Sequence, residues 1–271
     1  MLGWMYGHTV GRVLLKPLVR PGFSKLGGRL LDTRVSALAV KPFVHMNHID
    51  LSECKKQKFR SYNDFFTREL LPEARPVDWT REAWISPCDG RLTVYPITAE
   101  GRFTVKHTEY TVGSLLQNEE LAGRYTGGTL WLYRLCVDDY HRYIYPVDGV
   151  KSVNVRIPGI FHTVNPAAND RYPIYKENTR ERCMIKTEQF GTILMMEVGA
   201  LLVGKIENRH SGSGVHVSRG QEKGNFAFGG STILLLTQRG RVVPDRIYVE
   251  NSAAGVETKV KLGQRVGQAA M

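Results

Sequence analysis

The chain has 271 residues, 42% of them hydrophobic, enough for a sizeable core in one large domain or two small ones. Its net charge is +11, and its four cysteines (Cys54, Cys88, Cys136, Cys183) lie far apart with no Cys-x-x-Cys. That spacing argues against a zinc ribbon, a redox pair or a disulfide framework, and makes a reducing cytosolic compartment the expectation. No apolar run approaches the ~20 residues that span a bilayer. The N-terminus also lacks the compact apolar stretch and small-residue cleavage site of a secretory signal.

The positive charge is concentrated at the front. Residues 1–60 hold eleven Lys and Arg against Asp32, Asp50 and Glu53, a net +8. Such asymmetry predicts an anionic partner, a membrane or a nucleic acid. Val10, Leu14 and Leu18 repeat at helical spacing, with Arg12, Lys16 and Arg20 on the other side. Pro17 and Pro21-Gly22 break this into short pieces. Leu31, Val35 and Leu38 form a second stripe near Lys25, Arg29 and Arg34. With Trp4 and Tyr6 in front, these pieces fit helices lying in a membrane interface. Residues 1–60 are therefore expected to be a basic amphipathic helical membrane-association segment. Its expected partner is an anionic phospholipid bilayer and not nucleic acid.

Ser61-Tyr-Asn-Asp64 reads as a helix start, a hydroxyl cap with an acid three residues on, ended by Pro72 and Pro76. From Trp84 the pattern changes to strands. Asp89-Gly90 is a turn signal between 84–86 and 91–95, and Gly101-Arg102 predicts a hairpin joining 94–97 to 103–105. A short helix is expected over 112–121 and strands over 129–137 and 150–157. Residues 193–206 read as two strands or one bent strand, with glycines at 199 and 204. Ile233–Leu236 is long enough for a buried strand, and 257–262 alternates again. The fold class is α+β: a mainly antiparallel β core in a domain spanning 61–271, with amphipathic helices in front.

The chemistry centres on Gly229-Gly230-Ser231-Thr232, directly before that buried run. Gly230 has no Cβ to block the approach of a hydroxyl to its carbonyl, so Ser231 is placed to attack the bond that precedes it. Taken alone, the glycines also suit a turn feeding a strand. There is no nucleotide fingerprint, neither Gly-x-x-x-x-Gly-Lys-Ser/Thr nor Gly-x-Gly-x-x-Gly after a strand. An alcohol nucleophile needs a base, and the base is usually oriented by an acid. On the residues alone, Asp89 is equally an Asx-turn former and His141 equally a surface histidine.

Tyr62-Asn-Asp-Phe-Phe-Thr-Arg68, Ser86-Pro-Cys-Asp89-Gly90, Asp139-Tyr-His141-Arg142, Thr163-Val-Asn165-Pro166, Val198-Gly-Ala200, Val203-Gly204-Lys-Ile206, Arg219-Gly-Gln-Glu222-Lys-Gly224 and Phe228-Gly-Gly-Ser-Thr232 follow in order. As a set they resemble phosphatidylserine decarboxylase, in its shorter bacterial Phe-Gly-Gly-Ser-Thr form, from about Tyr62 onward. The resemblance implies self-cleavage between Gly230 and Ser231. A pyruvoyl group made from Ser231 would then serve as the cofactor, with neither metal nor pyridoxal phosphate. Its ketone would form a Schiff base with the substrate amine and take up the electrons left when carbon dioxide departs. The resemblance further implies that Asp89 belongs to the self-cleavage relay and that His141 assists decarboxylation. Thr163 and Asn165 would lie by the substrate. The two cleavage fragments would stay associated, with a homodimer as a further partner. The site of action would be the cytoplasmic face of the cell membrane, held peripherally.

One position departs from the pattern. Relatives read Asp-Tyr-His-Arg-x-His, and their second histidine is the self-cleavage base. Here the run is Asp139-Tyr-His-Arg-Tyr-Ile144. His162, His210 and His216 are the possible stand-ins. Two other readings stay open: a pyruvoyl decarboxylase of a free aromatic amino acid, and a basic membrane-binding relative that no longer matures. A Ser-His-Asp hydrolase fails for want of Gly-x-Ser-x-Gly.

Overall fold

The computed structural model describes residues 27–105, 107–160, 162, 173–200, 205–227 and 231–270. The first apolar stripe with Trp4 and Tyr6, and the site candidates Gly230, Thr163 and Asn165, lie outside the described residues.

Among the described residues the named α-helices are, in chain order, α1 (Val40–Met46), α2 (Tyr62–Phe66), α3 (Val112–Leu116), α4 (Glu119–Gly123), α5 (Ile174–Glu177) and α6 (Arg246–Ala253), with short 3-10 turns at Arg34–Ala39, Leu51–Glu53 and Pro72–Ala74. The first nine strands are β1 (Ala83–Ile85), β2 (Gly90–Pro96), β3 (Arg102–Val105), β4 (Thr108–Thr111), β5 (Thr129–Leu135), β6 (Arg142–Ile144), β7 (Gly149–Lys151), β8 (Val155–Ile157) and β9 (Arg180–Lys186). The rest are β10 (Thr192–Val198), β11 (Ile206–Asn208), β12 (Val215–Val217), β13 (Glu222–Phe226), β14 (Ser231–Thr237), β15 (Val242–Pro244), β16 (Thr258–Val260) and β17 (Arg265–Ala269). The large sheet runs β12-β7-β9-β10-β14-β5-β2-β16, with β8 also on β9. Smaller sheets are β1-β17-β15, β11-β13-β6 and the hairpin β3-β4. All pairings between these strands are antiparallel, as the α+β reading expected.

The apolar run Ile233–Leu236 became an interior strand because both faces of the sheet are covered. β14 lies between β5 and β10, and every residue in it is buried. Ile233 and Leu235 enter one core with Trp131, Tyr133 and Met195. Leu234 and Leu236 enter the other with Leu130, Leu132 and Met196. The first core is closed by Trp84 of β1, Val266 of β17, Tyr143 of β6 and Phe226 of β13. The second is closed by Phe103 and Tyr110 of the hairpin and by Leu115 and Tyr175 of the helices. Side chains alternate along a strand, so Ser231 points with Ile233 toward the first core and Thr232 with Leu234 toward the second.

Several expected elements differ in detail. The partner of β3 is β4, not the 94–97 strand: β2 pairs with β5 from Arg91 to Pro96 and with β16 only at Gly90–Leu92, and the link at Gly101 is a local turn in which the Thr98 N–H donates to the Arg102 carbonyl at 2.8 Å. The 112–121 helix is two helices, since Gln117 takes φ 49° and Asn118 caps the next one by accepting from the Leu121 N–H at 2.8 Å. The 150–157 strand is two strands, β7 and β8, end to end along β9. Residues 193–206 hold β10 and β11, which belong to different sheets. Ser61 does cap α2, its Oγ accepting from the Asp64 N–H at 3.1 Å, but the helix ends at Phe66, well before Pro72. Asp64 reaches back to the Arg60 N–H at 2.9 Å instead of the cap's own N–H.

A buried ion pair joins the strands on either side of the serine. Lys223 of β13 donates to Glu197 of β10 and to Asn208, each at 2.8 Å, and the side chains of the pair are 1% and 0% exposed. β13 precedes Ser231 in the chain, and Glu197 sits opposite Ile233 of β14. Removing one member strands the other charge, so Lys223→Met is expected to cost about 3–5 kcal/mol in urea unfolding. The double variant Glu197→Leu/Lys223→Met should recover most of that, because both charges leave together. A double variant no more stable than the single one contradicts this account.

Candidate active site

Of the predicted residues, Ser231, Asp89 and His141 lie toward one end of the large sheet. β14 begins there with Ser231 opposite Leu135, the last residue of β5. On the other side of β5, Gly90 opens β2, at the same level. Gly90 has φ +153°, and a Cβ there would lie 2.9 Å from the Arg134 carbonyl oxygen, so glycine is required. Two strand spacings separate Gly90 from Ser231, about 10 Å. Ser231 is fully buried, and among the described residues its Oγ has no hydrogen-bond partner. The Thr232 hydroxyl is in the same state.

Beyond β5 the chain turns through Cys136–Asp139 and delivers His141. The turn is locked by the Cys136 N–H donating to Asp139 Oδ2 at 2.7 Å and the Asp139 N–H donating to the Cys136 carbonyl at 3.0 Å. His141 is fully buried. Its Nδ1–H donates to the Asp139 carbonyl at 2.8 Å. A carbonyl only accepts, so in the neutral ring the lone pair is on Nε2. The ring lies against Phe66 of α2, centroids 4.1 Å apart. The His141 carbonyl accepts from the Phe226 N–H at 3.0 Å, which ties the histidine to the strand that leads into Gly229-Gly230-Ser231.

Asp89 serves two partners of its own. Arg75 grips it through Nε at 2.8 and 3.0 Å and Nη2 at 2.6 Å, and the Leu262 N–H donates to Oδ1 at 2.9 Å. Arg75 in turn reaches Glu53 at 2.9 Å. Burial pushes the Asp139 carboxyl up, with the Cys136 N–H opposing it. Burial also raises the Cys136 thiol, against the pull of Arg134.

Arg142 joins three of the sequence motifs. It bonds Glu222 at 2.9 and 3.0 Å and the carbonyls of Thr67 and Arg68 at 2.9 to 3.2 Å. Nothing in the sequence separated the roles of Phe66, Arg75 and Arg142. Phe66 and Arg142 lay inside quoted motifs without a task, and Arg75 stood between two prolines with no signal.

The stand-in histidines are elsewhere. His210 meets Tyr145 and Gln221, each at 3.3 Å, beside the opposite end of β13 from Phe226. His216 is on β12, four strand spacings from β14, about 19 Å. His162 is held through Asn178, which follows α5 on the second-core side, whereas Ser231 faces the first core. Burial lowers its pKa. Ile144 packs with Ile85, Tyr140 and Leu262, and its N–H donates to the Pro87 carbonyl at 2.9 Å.

Among the described residues, Cys136, Asp138 and Asp139 bring three ligand atoms within 4.8 Å of one another. Arg91 and Arg134 already donate to the sulfur at 2.7 and 3.0 Å, so a cation there would meet two guanidinium groups.

The sequence model of one family, phosphatidylserine decarboxylase, matches residues 62–268. Phosphatidylserine decarboxylase proenzyme 2 of Clostridium acetobutylicum is 42% identical, the match covering 98% of this chain and 91% of that protein. The proenzyme of Clostridium novyi is 39% identical over 98% and 92%, and that of Fusobacterium nucleatum 36% over 98% and 90%.

Proposed function

The chain belongs to the phosphatidylserine decarboxylase family, and on that premise we propose that it cuts itself at Gly230–Ser231 and then converts phosphatidylserine to phosphatidylethanolamine. It is a carboxy-lyase. The observation that carries the maturation step is the buried Ser231 Oγ with no partner among the described residues. An unmet buried hydroxyl costs about 1–3 kcal/mol, and native proteins keep few of them.

Ser231 Oγ attacks the Gly230 carbonyl carbon and gives up its proton to a base, and the C–N bond breaks to leave an ester. Loss of the Ser231 Cα proton expels the Gly230 carboxylate and leaves dehydroalanine. Its imine tautomer takes up water and releases ammonia, which leaves a ketone at the new N-terminus. The ketone supplies an electron sink for the charge left when a carboxyl group departs as carbon dioxide. The neighbourhood suits that group, being buried and reached from strand ends on both sides. His141 Nε2 is the nitrogen whose lone pair can take a proton there, and in turnover it returns one to the carbon that lost its carboxyl group. Arg75 fixes the Asp89 carboxylate, and the Asp139 carbonyl fixes the imidazole. Thr163 and Asn165 are assigned to the substrate from the motif alone. Two fragment masses in place of one, together with phosphatidylethanolamine formed from phosphatidylserine vesicles, test this reading.

A lipid substrate is favoured over a free amino acid by the surface of residues 27–48. Leu30, Val35, Leu38 and Met46 are 61 to 79% exposed, among the exposed cations Arg29, Arg34 and Lys41. Among the described residues no helix is long and apolar enough to cross a membrane. On the proposed reading this face lies on the cytoplasmic side of the bilayer, held by the charge of Arg29, Arg34 and Lys41 and by shallow apolar contact. Each Lys or Arg contributes about 1 kcal/mol near an anionic surface, so Arg29→Gln/Arg34→Gln should weaken vesicle binding roughly thirtyfold at low salt. The difference should shrink as salt rises. Sedimentation with anionic vesicles measures it, and unchanged binding would move the membrane face elsewhere.

A further inference from the structure

A cleft of about 520 Å³ opens between α1 and the segment 49–59. Its rim carries Lys41, Lys58, His45 and His48, its floor includes Val44 and Phe59, and no carboxylate lines it. The nearby acids are engaged elsewhere. Asp50 accepts from the Ser52 N–H at 2.8 Å, Glu53 holds Arg75 at 2.9 Å and Asp64 holds Lys56 at 2.6 Å. A cationic rim over an apolar floor complements a ligand that is anionic at one end and hydrocarbon at the other. The volume suits a phosphate with the first carbons of a chain and is far too small for a whole lipid. Lys41, one of the cations of the face assigned to the bilayer, lines the cleft, and the exposed Leu38 and Met46 are chain neighbours of its lining residues Ala37 and His45.

The floor is also rigidly linked to the catalytic end. Phe59 meets Phe65 at 5.3 Å between ring centroids, and the next residue, Phe66, lies against His141 at 4.1 Å. Helix α2 thus touches the cleft floor through one aromatic ring and the histidine through the next.

We propose that this cleft seats the phosphate and proximal acyl carbons of an anionic phospholipid other than the molecule being decarboxylated. The seat fixes the orientation of the chain on the bilayer. Diffuse attraction of Arg29 and Arg34 brings the protein to the surface, and one lipid in the cleft sets its angle. The proposal rests on the membrane-facing reading of residues 27–60.

The probe is dihexanoyl phosphatidylglycerol below its micelle concentration, titrated into the full chain at physiological salt and followed by calorimetry. Phosphatidylglycerol has neither the amine nor the carboxyl group of the substrate. The expected result is saturable binding of one molecule, weakened tenfold or more in Lys41→Gln/Lys58→Gln and kept in Arg29→Gln/Arg34→Gln, which removes the same charge. Ala37→Phe, which fills the cleft without changing charge, should weaken it as well. Equal weakening in both charge pairs means diffuse attraction and overturns the seat. Displacement by inorganic phosphate at equal concentration makes it a bare anion site and overturns the lipid. Self-association of the chain in place of probe binding makes a second copy the occupant. The Ser231→Ala protein should bind the probe like the wild type. A failure of the self-cleavage reading thus shows in the fragment masses and leaves this result untouched.

Discussion

Ser231→Ala should stay one unbroken chain of 271 residues and release no carbon dioxide, whereas the wild type should resolve on denaturation into pieces of 230 and 41 residues. The change removes one oxygen that has no bond to lose, since Ser231 Oγ lacks a partner among the described residues. Folding should therefore be kept or slightly improved, by up to about 1–3 kcal/mol, as an unmet hydroxyl disappears. Loss of activity with full stability separates a chemical role from a structural one. The 41-residue piece should resist N-terminal sequencing, because a ketone replaces the amine. Without denaturant the pieces should travel together. The small one carries β14, bonded on both sides by β5 and β10, as well as β16 on β2 and β17 on β1. Intact mass and gel filtration read both results. An active preparation made of one unbroken chain would end the self-cleavage reading.

What the sequence made legible follows from how local the cause was. Ile233–Leu236 announced a strand buried on both faces because four consecutive apolar residues leave no side for water. Ser61 announced α2 because a cap is a local hydrogen bond. The hairpin at Gly101 was assigned the wrong partner because a turn signal is local and a ladder is not: the Thr98 N–H closes the turn on the Arg102 carbonyl, but β3 then pairs along its length with β4. Helix α6 gave no signal, as only Tyr248 of its eight residues is buried, so no apolar stripe exists to be read. At the candidate site, Ser231 and Gly230 were visible from adjacency. Asp89 and His141 were assigned through the ordered motifs, and the described geometry puts them at one sheet end with Ser231. The Arg75 clamp on Asp89 joins residues 14 apart through side chains alone, and no periodicity records that. The second stripe also had a readable outcome. Leu31 packs against the cluster of Val40, Tyr62, Phe65 and Phe66, whereas Val35 and Leu38 of the same stripe stand 74% and 79% exposed.

Ile144→His should speed self-cleavage, and the double variant Ile144→His/His141→Ala should still cut itself while failing to decarboxylate. The two positions have different surroundings. His141 lies on Phe66, whereas Ile144 packs with Ile85, Tyr140 and Leu262. The register shift in the β6–β13 pair falls between Glu222 and Gly224, on β13, so β6 itself runs extended from Arg142 to Ile144. His141 directly precedes that strand, and side chains three apart along extended backbone point to opposite faces, so His141 can fill the role of a base at 144 only poorly. What lies near 144 is the Asp89 loop. Ile144 N–H bonds the Pro87 carbonyl, and Leu262, its packing neighbour, is held through its N–H by Asp89. An imidazole at 144 would thus stand beside a fixed carboxylate, the arrangement that orients a base. A placed base contributes about 10²- to 10⁴-fold, whereas backbone strain at a scissile bond, ~1–3 kcal/mol in general, supplies at most roughly a hundredfold. Wild-type cleavage, with only the less well oriented His141 as base, should therefore be slow. Burying the imidazole among apolar neighbours should cost about 1–3 kcal/mol of stability. The measurement is the time course of chain cleavage after synthesis in wild type, Ile144→His, His141→Ala and the double variant, with phosphatidylethanolamine formation read in parallel. His141→Ala alone should nearly stop cleavage, and Ile144→His should restore it without restoring turnover. A double variant that never cuts would mean that position 144 does not address Ser231.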